Sequence, residues 1–170
     1  MFQKVTLALT VVFVLGAGSA LPQEVGTRSG FWLSFGGGGG LMDGLRGAAT
    51  YVRMGGTPNS RVQFGGQVLN WWRHDETGEH SRVSIAATAA VFPIQGGSPN
   101  RALLSEWFLR GGFGIVTAHS SSGVGPTLGT GIDLRLGRNF FVTPNVDLLV
   151  YFFRDETDVS LTFTLGLTWH

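Results

Sequence analysis

Val159-Ser160-Leu161-Thr162-Phe163-Thr164-Leu165-Gly166-Leu167-Thr168-Trp169-His170 alternates large apolar residues with small or polar ones. Successive side chains on a strand point to opposite faces, so Val159, Leu161, Phe163, Leu165, Leu167 and Trp169 share one surface. Ser160, Thr162, Thr164, Gly166 and Thr168 share the other. The first surface suits hydrocarbon and the second a narrow polar interior, which is the pattern of a strand in a closed membrane barrel.

The opposite end of the chain carries an export signal. Lys4 precedes the apolar, Thr-containing run Val5–Leu15, and Gly18-Ser19-Ala20 supplies the small residues of a cleavage site. Residues 1–20 therefore read as a signal peptide cut after Ala20, and residues 21–170 as one barrel domain. The apolar run falls short of the ~20 residues of a membrane helix, and no other segment is longer and as apolar. A spanning protein must then be built of strands. Lys4 is the only lysine, and its removal leaves 11 basic residues against 11 acidic ones. A formally neutral chain lacks the basic patch of a nucleic-acid binder. With no Cys there is no disulfide framework, thiolate nucleophile or lipid-anchor cysteine.

Gly-rich and polar breaks divide the domain into eight alternating runs. In Ser29–Gly38, Phe31, Leu33 and Phe35 oppose Trp32, Ser34 and Gly36. In Gly47–Gly55, Ala48, Thr50, Val52 and Met54 oppose Ala49, Tyr51 and Arg53. Arg61–Arg73 sets Val62, Phe64, Val68 and Trp72 against Gln63, Gly65, Gln67 and Trp71. Arg82–Phe92 sets Val83, Ile85, Ala87, Ala89 and Val91 against Ser84, Ala86, Thr88 and Ala90. Glu106–Ala118 separates Trp107, Leu109, Phe113 and Ile115 from Arg110, Gly112 and Gly114. Thr127–Leu136 separates Leu128, Ile132, Leu134 and Leu136 from Gly129, Gly131, Asp133 and Arg135. Phe141–Phe153 separates Val142, Val146, Leu148, Val150 and Phe152 from Thr143, Asn145 and Asp147, and the C-terminal run is the eighth.

An even number of strands puts both termini on one side, the periplasmic side in an up-and-down outer-membrane barrel. Thr57-Pro58-Asn59-Ser60, Gln95–Asn100 and Gly137-Arg138-Asn139 become periplasmic turns. Gly39–Arg46, His74–Ser81, Ser120–Pro126 and Arg154–Asp158 become external loops, short ones that offer no large docking surface. Aromatics gather near the strand ends. Trp71, Trp72, Tyr151, Phe152 and Phe153 are expected in an outer girdle, with Trp107 and Phe140-Phe141 near the inner one. Pro144 removes a ladder hydrogen bond inside the seventh run, so a bulge is expected there.

Signal, eight runs, girdles and a terminal aromatic strand together resemble the small outer-membrane β-barrel superfamily of OmpA-type and OmpW-type domains. The resemblance covers the mature chain and implies an eight-stranded antiparallel transmembrane barrel in the outer membrane. Its partners would be outer-membrane lipids, lipopolysaccharide and, during biogenesis, the barrel-assembly machinery. Family chains usually finish on an aromatic residue, where this one has Trp169 followed by His170.

The inward faces collect Arg53, Arg110, Arg135, Asp133 and Asp147, and a buried charge is tolerated chiefly when paired and hydrogen-bonded. Because an eight-stranded interior is just wide enough for side chains to fill, these charges are expected to form a lumen network. Asp75, Glu76 and Glu79 in one outer loop and Asp155, Glu156 and Asp158 in another are candidates for cation or lipopolysaccharide contacts, since Ca²⁺ and Mg²⁺ prefer oxygen ligands. Solvated turns are the plainer account. No His spacing resembles a metal site, and no cofactor is implied. Gly36–Gly40 lacks the following Lys-Ser/Thr of a phosphate loop and reads as a flexible strand end. The expected role is non-catalytic: envelope integrity or surface contact. A narrow pore or OmpW-like conduit for small hydrophobic molecules is the alternative. A lipid A esterase using His119, Ser121 and Asp133 is a third.

Overall fold

The computed structural model describes residues 30–75, 78–93, 106–118, 121–136 and 139–170; the expected signal peptide, residues 1–20, and the expected Gln95–Asn100 turn lie outside them. Nine strands follow one another: β1 Gly30–Met42, β2 Leu45–Asn59, β3 Val62–Asp75, β4 Gly78–Val91, β5 Trp107–Ala118, β6 Ser121–Ile132, β7 Leu134–Arg135, β8 Phe140–Phe152 and β9 Thr157–Trp169. They make one antiparallel sheet in which β9 pairs with β1 and β6 with β8, so the sheet closes on itself. The short β7 continues β6 beyond a break at Asp133, and both lie against β8. The closed wall is therefore an eight-stranded up-and-down barrel.

The full strands are 12 to 15 residues long, above the ~9 to 11 that a tilted strand needs to cross a bilayer. Burial follows the sequence alternation, but with polarity inverted relative to a water-soluble protein. On β9, Ser160, Thr162, Thr164 and Thr168 are buried, while Phe163 and Leu165 are 53% and 59% exposed. The same inversion runs round the barrel: Phe64, Phe113 and Leu128 face out, and Arg53, Gln67 and Asp147 face in. Such a wall suits acyl chains.

Several strands run further than the sequence reading expected. The Gly36–Gly40 run lies inside β1, and the expected loop Gly39–Arg46 contracts to the turn Asp43-Gly44 between the partners Met42 and Leu45. Asp43 and Gly44 both have positive φ, 51° and 80°, the type I′ geometry that matches the twist of a hairpin. Likewise Asp75 pairs with Gly78, and Ala118 with Ser121. The expected loop Ser120–Pro126 is thus mostly β6. Glycine weakens a strand without preventing it from pairing: Gly36–Gly40 have partners on both sides, and Gly123 and Gly125 pair with β5.

Pro144 is also placed differently from expectation. It keeps its register with Leu165 on β9, and the irregularity falls on the other side, where β6 and β7 separate at Asp133. A second gap in the same seam lies beside Pro126: Val124 pairs with Phe152 and Thr127 with Leu149, with no pairing between them. Both gaps follow from a missing N–H donor.

Candidate functional site

The middle of the lumen is organised by one carboxylate. Asp147 on β8 receives Arg53 from β2 on Oδ2 and Arg110 from β5 on Oδ1, each at 2.5 Å. All three side chains are buried. Two cations against one anion leave a surplus positive charge, and neutral groups share it. Arg53 Nε donates to Gln67 Oε1 at 2.8 Å and its NH1 group to Asn145 Oδ1 at 3.2 Å. Arg53 also lies 3.8 Å above the Tyr51 ring centroid, and Arg110 5.3 Å from that of Phe108, where the negative ring faces favour a cation. Buried charge is thus paired and hydrogen-bonded at once, the condition under which it is tolerated.

A relay of hydroxyls continues from this centre toward the end of the barrel that carries the termini. Asn145 Nδ2 donates to the Tyr51 hydroxyl at 3.1 Å, which lies 3.2 Å from Ser34 Oγ. Thr168 Oγ1 donates to Ser34 Oγ and lies 2.8 Å from Thr143 Oγ1, which in turn donates to Asp133 Oδ1 at 2.8 Å. Asp133 Oδ2 is 3.8 Å from His170 Nε2. His170 folds inward, edge-on to Phe141 at 5.2 Å, while Trp169 takes the outward position beside Phe31. The sequence reading found Arg53, Arg110, Asp133 and Asp147, and the structure places all four in the lumen. Arg135 is a correction: it keeps the inward parity of its partner Phe141 but lies at the rim of the barrel, where it is exposed with its guanidinium 5.5 Å from the Phe141 ring. Tyr51, Gln67, Asn145, Thr143, Thr168 and His170 complete the network, and their inward parity was the signal for them.

Apolar layers cap the polar centre on both sides. Toward the hairpin end, Met42, Leu69, Trp71, Val116, Leu149 and Tyr151 pack together; toward the terminal end, Ala90, Phe92 and Phe108 do so. Trp71, Tyr151 and Phe141 therefore belong to the lumen, not to the aromatic girdles expected from their sequence clustering, since strand parity turns each inward. Inward glycines make room for these large groups. A Cβ on Gly36 or Gly166, which face each other across β1 and β9, would strike the Tyr51 ring, and one on Gly47 would strike the Trp71 indole. Among the described residues, the polar centre encloses a cavity of about 20 Å³, lined by Arg53, Gln63, Arg110, Asp133, Asn145 and Thr168. That is room for a water molecule or two.

The hairpin end opens into a cup of about 270 Å³ floored by Met42 and Trp71. Arg82 stands in it, paired with the buried Asp158, 3.8 Å from Asp43 and 5.5 Å from the Phe153 ring. Asp158, expected among solvated loop carboxylates, is an inward residue of β9. Asp155 and Glu156 are exposed. The side chains of Asp75 and Glu79, and all of Glu76, lie outside the described set. Among the described residues no three His, Asp or Glu side chains converge as a metal site would require. His119 is also outside the described residues, but the esterase reading fails on its other two members. Ser121 begins β6 at the hairpin end and Asp133 follows its last residue at the terminal end, a separation of roughly 40 Å at the usual rise per residue.

No known family profile and no curated protein matches the sequence. Solved structures do match the fold. Neisserial surface protein A superposes with a TM-score of 0.67 at 13% identity, over 83% of this chain and 97% of that one. The N-terminal β-barrel domain of Pseudomonas aeruginosa OprF gives 0.52 at 12% identity, over 84% and 98%. Ail, the attachment invasion locus protein of Yersinia pestis, gives 0.51 at 17%, over 83% and 98%. This chain has the fold of the small outer-membrane β-barrels. The inverted wall of this outer-membrane barrel and its strand lengths agree with that fold, and together they support an outer-membrane location.

Proposed function

We propose that the protein is a sealed, non-catalytic integral barrel that contributes to the structure of the outer membrane, with both termini on the periplasmic side. The observation that carries this reading is the filled lumen. Asp147 is clamped between Arg53 and Arg110, apolar side chains are stacked on either side, and the cavity at this polar centre is about 20 Å³. The far-end connections support it too. Asp43-Gly44 is a two-residue turn, and the chain from Phe152 to Thr157 reverses within four residues. An attachment role, such as the name of the Yersinia protein carries, needs protruding loops, and connections this short supply little surface.

Planar-bilayer recording on the reconstituted full chain tests the reading. No channel steps are expected, and vesicles carrying the protein should not swell in permeant sugars or take up small hydrophobic molecules faster than empty ones. Discrete conductance or accelerated uptake would replace the sealed barrel by the pore or conduit. Release of fatty acid from lipopolysaccharide by the purified protein would make it an enzyme instead.

A further inference from the structure

Among the described residues, the outer wall carries a large interruption. A groove of about 540 Å³ crosses it from Trp107 on β5 to Gly37 on β1. It follows rows of cross-strand partners: Thr130 opposite Val146 and Val146 opposite Phe163 in one row, Pro144 opposite Leu165 and Leu165 opposite Gly37 in the next. Barrel strands tilt by roughly 35–45° from the membrane normal, so a path at right angles to them climbs the wall obliquely. This one begins at the first residue of β5, at the terminal end, and finishes about halfway along β1.

The floor is made of small residues and the rims of large apolar ones. Gly37 brings no side chain to it, while Phe163 and Leu165 stand up at 53% and 59% exposure. At the lower end Trp107 is pinned: its Nε1 donates to Thr130 Oγ1 at 2.7 Å, and that hydroxyl donates to the Phe108 carbonyl at 2.8 Å. The indole donor is thereby satisfied, and the ring offers the groove only carbon. An empty groove in hydrocarbon would forfeit dispersion contacts along its whole length.

We propose that this groove holds one acyl chain of a phospholipid, lying obliquely against the wall with its ester end near Trp107. The groove is continuous with the lipid-facing surface on both sides and has no charged side chain in its lining. Hydrocarbon is the chemistry that fits. The choice of phospholipid over lipopolysaccharide rests on the periplasmic orientation argued above, because the groove opens at the terminal end.

Gly37 allows a clean test. A Cβ there meets its nearest atoms at 3.4 Å, and at Gly66, which faces lipid on β3 outside the groove, the nearest is at 3.9 Å. Native mass spectrometry of the full chain, released from detergent after incubation with phosphatidylethanolamine or with lipopolysaccharide, should show one phosphatidylethanolamine that survives stripping of the annular lipid. Gly66→Leu should keep it and Gly37→Leu should lose it, with heat-modifiable gel mobility reporting that both variants are folded. Equal retention by all three proteins, or none by the parent, overturns the proposal. So does a dimer that Gly37→Leu dissociates, since a second copy would then fill the groove. Preferential retention of lipopolysaccharide overturns the phospholipid assignment and locates the fault in the orientation, whereas conductance bears only on the sealed lumen. Should Gly37→Leu fail to fold, the parent protein still decides. The Trp107 share of its fluorescence, obtained by difference from Trp107→Phe, should be quenched by trace phospholipid brominated near the ester. Quenching that only tracks the bulk mole fraction would sink the proposal.

Discussion

Replacing Asp147 by Ala leaves Arg53 and Arg110 buried without the carboxylate they share. Removing one partner of a buried ion pair usually costs about 3–5 kcal/mol, so Asp147→Ala should lower stability by about that much in urea unfolding from vesicles, followed by Trp fluorescence. Adding Arg110→Met should restore part of the loss, because one uncompensated charge leaves with it. A loss below about 1 kcal/mol would mean that water already solvates the two guanidinium groups. Gly166 makes a second prediction at this scale. A Cβ there collides with the Tyr51 hydroxyl and approaches the Phe35 carbonyl at 2.7 Å. Gly166→Ala should therefore cost about 1–3 kcal/mol, as overpacking does, and Tyr51→Phe in the same chain should recover only the share due to the hydroxyl. Strand parity made Arg53, Arg110, Asp133 and Asp147 legible in the sequence. It misplaced Arg135 because parity gives the side of the wall and not the depth: the register with β8 is unchanged across Asp133, but Arg135 lies at the open rim. The hydroxyl relay was not legible, since Ser34, Thr143 and Thr168 meet only when three separate strands close round one lumen.

The hairpins show what a pattern of polarity conveys about an element and what it does not. Alternation located every long strand, yet the glycines that looked like loop residues turned out to pair, and the turns shrank. The Asp43-Gly44 turn is tied to β9 by two bonds: Asp43 N donates to the Val159 carbonyl and Val159 N to Asp43 Oδ1, each at 3.1 Å. Gly44 sits at φ 80°, where a branched side chain is strained. Gly44→Val should cost about 1–2 kcal/mol in the same unfolding assay, with Gly44→Asn milder because Asn tolerates that region. The seam between β6/β7 and β8 is the weak element. It has gaps beside Pro126 and opposite Pro144, whereas β3 and β4 pair without a break from Val62 to Asp75. Amide hydrogen exchange in lipid should therefore be faster along β6 and β7 than along β3 and β4. Equal protection would show that side chains such as Asp133 and Thr143 seal the seam as well as backbone bonds do.

At the scale of the whole molecule, the decisive property is which face of the wall meets water. The signal-like N-terminus and the alternating strands pointed to the membrane. The closed barrel turns that expectation into geometry, with 59% of Phe113 exposed on the outside and the Arg–Asp–Arg centre enclosed. Clustered aromatics misled at this scale, because Trp71 and Tyr151 lie near the membrane interface in sequence order but on the lumen side of the wall. Phe113 provides the sharpest global test. It lies near the middle of β5, facing out, with Pro126 and Ala87 as its cross-strand partners. An arginine at the bilayer midplane of such a barrel costs about 2–4 kcal/mol and near the interface about 0–1. Phe113→Arg should therefore destabilise the vesicle-embedded protein by about 2–4 kcal/mol, while an arginine in place of Leu109, closer to the end of the same face, should cost less. If the wall faced water instead, exchanging an exposed Phe for Arg would be close to neutral and would raise solubility without detergent. A flat response at both positions would thus invert the inside and outside of the molecule, and with them the sealed lumen and the lipid groove.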